Sequence, residues 1–394
     1  MIIGEFCDVY PPELDGVGAV VSSYAEGFNK REDTTCYYIA PEAPDYKPTK
    51  DYPVLNYLGV PIPNEAYRLG LPDVDFTFRA DLLHKKFDIL HAHSPFTAGR
   101  MAVRLAQQKN LPLVGTFHSK YYDDFYSKTR SEWIARLGVK FVVDFYDRCD
   151  EVWAVNHATA QVLKDYGFQK EIHVMPNGTD LWYPTEEDRQ RAQKEFSLGS
   201  GSVLLFVGQH NFKKNTRHIL EAVALYARTN QNFVMAFAGQ GPDAEAMKQL
   251  AEELGLNERV RFLGHIMDRK QIMGLYARAD LLVFPSLYDN APMVVREAAA
   301  AGTPALLIRG SCAAEGVTDG KNGFLCEDTP ESIAETIGRA LPNSRTVGEE
   351  ARRTIPLPWQ RVVEMAADRY AALIERYRSG ELSRASRIFG SKND

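Results

Sequence analysis

The chain has 394 residues, 45% hydrophobic and 25% charged, the balance of a soluble globular protein but more than one ordinary core holds. Its net charge of −6 argues against general nucleic-acid binding, and no apolar run reaches the roughly 18 residues of a membrane span. The five cysteines (Cys7, Cys36, Cys149, Cys312, Cys326) lack metal or redox spacing, and the opening MIIGEF lacks the basic segment and apolar stretch of a signal peptide. Both features point to a reducing, cytoplasmic setting.

In chain order, strand patterns fall at 2–7, 35–39, 89–92, 113–116, 151–154 and 172–174, with helical patterns between them such as 20–29 and 99–108. A turn-rich stretch from Pro176 to Pro184 precedes a charged helix at 186–196. A second series of strands follows at 202–208, 233–238, 260–263, 281–284, 304–308 and 323–326, and a long helix over 360–377 closes the pattern. Strands alternating with helices imply parallel sheets covered on both faces. Two such series predict an α/β chain of two doubly wound domains. Their expected limits are 1–180, completed by a helix at 360–380, and 184–358, with 381–394 a basic and mobile tail.

Several turns carry candidate chemistry. After the first strand, Asp15-Gly-Val-Gly18 brings Gly16 and Gly18 before a helix; paired glycines let amides approach an anion, though a plain turn explains them as well. The next strands end in Leu90-His91-Ala-His93 and Thr116-Phe-His118, at the strand ends where open parallel sheets bind ligands. His91 and His93 lack a visible third ligand, so a metal is not expected. The segment 117–143 mixes aromatics, including Trp133, with Lys120, Lys128, Arg130, Arg136 and Lys140. The tail adds Arg376, Arg378, Arg384, Arg387 and Lys392. Such mixtures hold proteins to anionic membranes, yet a solvated helix beside an aromatic acceptor wall has the same composition.

In the second series, the turn from Gly208 (GQHNFKKNTR) places Lys213 and Lys214 at a helix start, where cations oppose the helix dipole and hint at an anionic ligand. The loops at Gly239-Gln-Gly241-Pro and Gly264-His265 follow strands, like ordinary turns or ligand-bordering ones. The run from Phe284 to Glu297 (FPSLYDNAPMVVRE) then sets Asp289 and Glu297 eight residues apart. Between them Asn290, Ala291 and Pro292 read as a turn into an alanine-rich helix, whose first amides lack internal partners and attract phosphate. A plain reading makes Asp289 an N-cap and Glu297 a solvated helix residue.

This last run resembles the acidic motif of the retaining glycosyltransferases of the GT-B fold (family 4 and group 1), in which two Glu are separated by seven residues; here the first acid is Asp289. The resemblance extends over nearly the whole chain and implies two Rossmann-like domains facing a cleft, a nucleotide-sugar donor, no cofactor and no metal. By it, Lys214 falls on the family's phosphate-binding Lys, while Gln209 occupies a position that usually holds Arg. Asn290, Ala291, Pro292 and Met293 would meet the diphosphate, Glu297 the ribose, and Asp289 and His118 the donor sugar. Gly16, Gly18, Gly241 and His265 would border the donor, and His93 the acceptor. The implied activity moves a hexose, from UDP-glucose first and GDP-mannose second, to a glycan, lipid or small-molecule hydroxyl. A sugar-nucleotide 2-epimerase and a non-catalytic sugar-nucleotide-binding protein are the alternatives. Peripheral association with the inner face of the cell membrane is a further expectation.

Overall fold

A computed structural model describes residues 1–10, 16–43, 51–62 and 68–384. Asp15, Arg387 and Lys392 lie outside the described residues. The chain divides into two units, Met1–Gly178 with Trp359–Asp394 and Thr179–Pro358.

Unit one holds the strands β1 (Ile2–Phe6), β2 (Thr35–Pro41), β3 (Val54–Tyr57), a short antiparallel hairpin β4 (Gly59–Pro61) and β5 (Arg68–Gly70), then β6 (Ile89–Ala92), β7 (Leu113–Phe117), β8 (Glu151–Ala154) and β9 (His173–Val174). Its helices are α1 (Gly16–Asn29), α2 (Phe76–His84), α3 (Thr97–Lys109), α4 (Tyr121–Thr129), α5 (Glu132–Asp147) and α6 (His157–Asp165). Seven strands form one parallel sheet in the order β3-β2-β1-β6-β7-β8-β9. The sequence patterns missed β3, the hairpin and α2, which are short and carry little periodicity.

Unit two opens with α7 (Glu186–Glu195), whose start is set by a capping box between Thr185 and Asp188. There follow β10 (Ser202–Val207), α8 (Thr216–Ala227), β11 (Phe233–Ala238), α9 (Ala244–Glu253), β12 (Val260–Gly264), α10 (Arg269–Arg278), β13 (Leu281–Val283), α11 (Met293–Ala301), β14 (Ala305–Ile308), β15 (Phe324–Cys326), α12 (Pro330–Ala340) and α13 (Ser344–Thr354). The six strands run parallel in the order β12-β11-β10-β13-β14-β15. Strands buried on both faces need continuous apolar runs, and VLLFV in β10 and FVMAFA in β11 supply them.

The last helix, α14 (Trp359–Arg378), belongs to unit one. Its Tyr370 stacks on Trp153 with ring centroids 5.4 Å apart, and its Tyr377 donates to Asp150 at 2.8 Å. Beyond it, Arg384 is buried and anchored by the carbonyl of Arg148 at 2.7 Å and by the Asp150 carboxylate. Tail residues through Arg384 are therefore tied down, and Arg384, counted above among surface cations, is not available to a membrane.

Numbering the main-sheet strands by chain order, unit one follows 3-2-1-4-5-6-7 and unit two 3-2-1-4-5-6, and in both the order reverses between the first and fourth strands. Ligands of open parallel sheets bind outside the carboxyl ends of the strands at that reversal. In unit one the reversal lies between β1 and β6, in unit two between β10 and β13.

Candidate active site

At the reversal of unit two, β10 runs out through Gly208 and Gln209, and β13 through Phe284 to Asp289. A single helical turn at 212–214 carries Lys214, and Asn215 then takes a left-handed conformation (φ 59°) before α8 begins. Asn215 is fixed there by its side-chain amide, which donates to the Pro285 carbonyl at 3.0 Å and to Asp328 at 2.7 Å. The Lys214 ammonium thereby reaches both oxygens of Asp289, at 2.5 and 2.7 Å, and Ser286 Oγ donates to the same carboxylate at 2.6 Å. The Lys214 and Asp289 side chains are only 14% and 19% exposed. Lys214 is thus not a solvated lysine. Asp289 is not an N-cap either: α11 has Pro292 in that position and no side-chain cap, so no side chain satisfies its opening amides, of which Val295 turns back to the Pro292 carbonyl at 3.3 Å.

Two turns into α11, Glu297 receives Arg269 Nη1 at 2.6 Å and the Tyr276 hydroxyl at 2.9 Å. Burial and the neighbouring carboxylate push the Tyr276 phenol well up, so it remains a donor. The solvated reading of Glu297 fails here too: its side chain is 13% exposed.

The other donor candidates of unit two differ in kind. Gln209 and His265 are exposed. Gly241 has a packing reason to be glycine, since a Cβ there would lie 2.5 Å from the His210 carbonyl oxygen and 2.7 Å from its nitrogen. The two loops meet by backbone bonds, His210 N–H to the Gln240 carbonyl at 3.1 Å and Asp243 N–H to the His210 carbonyl at 3.0 Å.

In unit one the strand ends gather aromatic and imidazole rings around one acid. Glu5, the fourth residue of β1, is fully buried, and His93 Nε2 lies 2.7 Å from its Oε2. His93 Nδ1 in turn faces His118 Nε2 at 3.0 Å. His91 stands beside them, with Nδ1 2.5 Å from the Tyr370 hydroxyl and 3.1 Å from Glu5, and Nε2 2.7 Å from Thr116 Oγ1. Burial alone would raise the Glu5 carboxyl, but His91 and His93 outweigh it and bring its pKa down to about 2. Burial, and then the neighbouring histidines, lower His93 to about 4 and His118 well below its usual range.

Two expectations are corrected here. His93 cannot border an acceptor, because it is fully buried and both ring nitrogens are engaged. The third metal-ligand type missing from the sequence is present as Glu5, the one such grouping with His91 and His93 among the described residues. Each of these side chains already has hydrogen-bonding partners within the network.

Sequence reasoning missed Glu5 and Asp8. Asp8 accepts from Ser94 Oγ at 2.5 Å and from the Ala98 amide at 2.8 Å, fixing the start of α3 on the end of β1. The signal was an acid within an apolar strand, which must find partners when buried. Gly16 is exposed, with room for a Cβ, while a Cβ on Gly18 would press on Val9 at 3.3 Å.

The family described as glycosyl transferases group 1 matches residues 187–355, and that described as glycosyltransferase family 4 matches residues 14–183. The chain belongs to these glycosyltransferases. It is 24% identical over 319 residues to an alpha-monoglucosyldiacylglycerol synthase of Streptococcus pneumoniae, covering 78% of this chain and 70% of that one. It is 29% identical over 321 residues to a D-inositol 3-phosphate glycosyltransferase of Catenulispora acidiphila, covering 77% and 75%. Among solved structures, Anabaena HepE in complex with UDP-glucose superposes with a TM-score of 0.77 at 18% identity, over 94% of this chain and 100% of that one. The sucrose-phosphate synthase of Thermosynechococcus elongatus gives 0.80 at 20% identity, over 95% and 99%. The chain has the GT-B fold.

Proposed function

We propose that this glycosyltransferase moves a hexose from a nucleotide sugar, UDP-glucose first and GDP-mannose second, to the hydroxyl of a lipid acceptor. Transfer proceeds with retention and without a metal. The Lys214–Asp289 pair at the reversal of the second sheet carries the reading. Breaking a sugar–diphosphate bond leaves charge on the departing phosphate, and a preorganised cation in a shielded place stabilises it. An ammonium has three donors, so Lys214 can keep Asp289 while giving a hydrogen to the diphosphate. The amides of Asn290, Ala291 and Met293 add the anion-binding end of α11, with Pro292 fixing the turn.

Glu297 takes the ribose hydroxyls, while Asp289 and, in unit one, His118 take hydroxyls of the sugar. Gly241, His265 and Gln209 border the nucleotide, and Gly16 and Gly18 its phosphates. With no protein nucleophile assigned, the acceptor hydroxyl attacks the anomeric carbon on the face the phosphate leaves. One carbon–oxygen bond breaks as the other forms, and the hydroxyl proton passes to the departing phosphate oxygen. A thermal-shift screen of UDP- and GDP-sugars tests the donor, and NMR of the product's anomeric proton tests retention. No stabilisation and no transfer with any nucleotide sugar overturns the reading.

The lipid acceptor is supported by α5. Trp133, Leu137 and Phe141, four residues apart and so on one face, are exposed together with Ile134, Trp133 by 72%. The opposite face is buried through Ala135, Val139, Val142 and Phe145. Exposed Arg130, Arg136 and Lys140 border the apolar stripe. Exposed apolar rings flanked by cations fit an anionic lipid surface, where each cation contributes about 1 kcal/mol. The protein is expected to sediment with phosphatidylglycerol vesicles at low salt, and Trp133→Ser with Leu137→Ser to release it. A wild-type protein that stays in the supernatant overturns the lipid assignment.

A further inference from the structure

The function proposed above uses His118 in unit one, and the groups behind it have no role there. The three side chains run in a line from the core outward: Glu5 Oε2, then His93 Nε2 at 2.7 Å, then from His93 Nδ1 to His118 Nε2 at 3.0 Å. Tyr24 lies against both His91 and His93, at centroid distances of 5.9 and 5.7 Å, and the His93 and His118 ring centroids are 5.3 Å apart, their planes inclined by 27°.

We propose that Glu5 and His93 are positioning residues that hold His118 in the form protonated at Nε2, so that Nδ1 carries the lone pair and takes a hydrogen bond from a hydroxyl of the transferred sugar. The sugar contact rests on the function proposed above; the proton arrangement does not.

The direction follows from donor and acceptor capacity. An ionised carboxylate only accepts, so His93 must present Nε2–H to Glu5. The facing pair, His93 Nδ1 and His118 Nε2, shares one hydrogen between two nitrogens. If His93 supplied it, both of its nitrogens would be protonated and the ring would be a cation. Burial opposes that cation, and the His93 pKa of about 4 leaves it neutral near pH 7. His118 is therefore the donor at Nε2. A neutral imidazole has one N–H, so whatever group meets Nδ1 must donate to it. A ring fixed this way selects a hydroxyl over a group that only accepts.

The test is a long-range nitrogen–proton NMR spectrum of the whole protein labelled with 15N-histidine, with His118→Gln identifying the signal. At pH 7 the expected spectrum shows His118 protonated at Nε2 and bare at Nδ1. Glu5→Gln offers His93 either a donor or an acceptor and is expected to give a mixture of both forms. His93→Leu, which leaves Nε2 without an acceptor, should do the same. A wild-type His118 protonated at Nδ1 overturns the proposal even if every variant fails to fold. So does an unchanged form in both Glu5→Gln and His93→Leu, since a merely structural role would leave the tautomer alone.

The sugar contact has its own readout, a set of donors with each hydroxyl replaced in turn by hydrogen or fluorine. Fluorine cannot donate, so at the position meeting His118 both analogues should lose kcat/KM alike, about tenfold for one hydrogen bond. If at every position where the deoxy donor loses activity the fluoro donor keeps it, the contact is overturned. If no nucleotide sugar is turned over at all, the function proposed above falls and the contact with it, while the NMR result still decides the proton arrangement.

Discussion

The two units share strand order and place their polar side chains at the same topological point, but they fill it with opposite chemistry. Unit two gathers full charges, with Lys214 on Asp289 and Arg269 on Glu297. Unit one surrounds a single carboxylate, Glu5, with histidines and a tyrosine, and burial keeps His93 and His118 from charging. A diphosphate needs cations and amide dipoles, whereas hydroxyl recognition needs oriented neutral donors and acceptors. On the function proposed above, the same scaffold would serve two kinds of recognition, set by a few residues at strand ends.

The comparison is broken most directly at the charged end. Lys214→Ala should lower kcat by about 100-fold or more, roughly 3 kcal/mol of transition-state stabilisation. Asp289 keeps Ser286 as a partner, so circular dichroism should show an intact fold. Near-normal turnover at saturating donor would remove Lys214 from the chemistry.

At the neutral end the sensitive variable is pH. His93 titrates at about 4 in the folded protein against an ordinary 6.5, so between those values the unfolded chain binds a proton that the folded one does not. Stability then falls as pH drops from 6.5 to 4, by about 3 kcal/mol at 1.36 kcal/mol for each pKa unit. Glu5 adds a second loss: its folded pKa of about 2 lies below the ordinary 4.5, so its contribution is present above 4.5 and fades as pH falls toward 2. Hydrogen exchange at pH 7 and pH 5 should show protection declining in unit one before unit two. Equal decline in both would mean the histidines do not control it.

The sequence made the alternating architecture legible, because parallel strands buried on both faces leave apolar runs such as VLLFV that few other structures use. Lys214, Asp289 and Glu297 were legible through a motif, together with the oddity of a cation at a helix start. Their mutual pairing was not, since Lys214 and Asp289 are 75 residues apart in sequence and only the folded sheet brings β10 and β13 side by side. The network of unit one was half visible. His91, His93 and His118 sat at predicted strand ends, but Glu5 looked like one residue of an ordinary strand, and Tyr370, 365 residues away, arrives only when α14 packs on unit one. Periodicity speaks of which face is buried, not of which polar groups meet there.

A smaller effect sharpens the charged side. Glu297→Gln keeps the shape but removes the charge that holds Arg269 at 2.6 Å. If Glu297 grips the ribose, remote from the breaking bond, the loss is of binding common to ground and transition states. Donor KM should rise about tenfold with kcat nearly unchanged, corresponding to roughly 1.4 kcal/mol. A drop in kcat with unchanged KM would instead place Glu297 in the chemistry beside Lys214.

The smallest expected effect is none, and it concerns metal. A metal-dependent donor site needs carboxylates at a strand end to hold a cation on the diphosphate. In unit two Asp289 is instead occupied by Lys214 and Ser286, and Glu297 by Arg269 and Tyr276. On the function proposed above, the ammonium and the opening amides of α11 would take over the neutralising role. Among the described residues, the one close grouping of metal-ligating types is Glu5, His91 and His93, fully buried and hydrogen-bonded within itself and to Tyr370 and Thr116. Initial rates should therefore be the same with and without excess EDTA. Loss of activity on chelation, restored by Mn²⁺ or Mg²⁺, would mean that a cation and not Lys214 meets the departing diphosphate, and that the charged end of unit two is built for a different purpose.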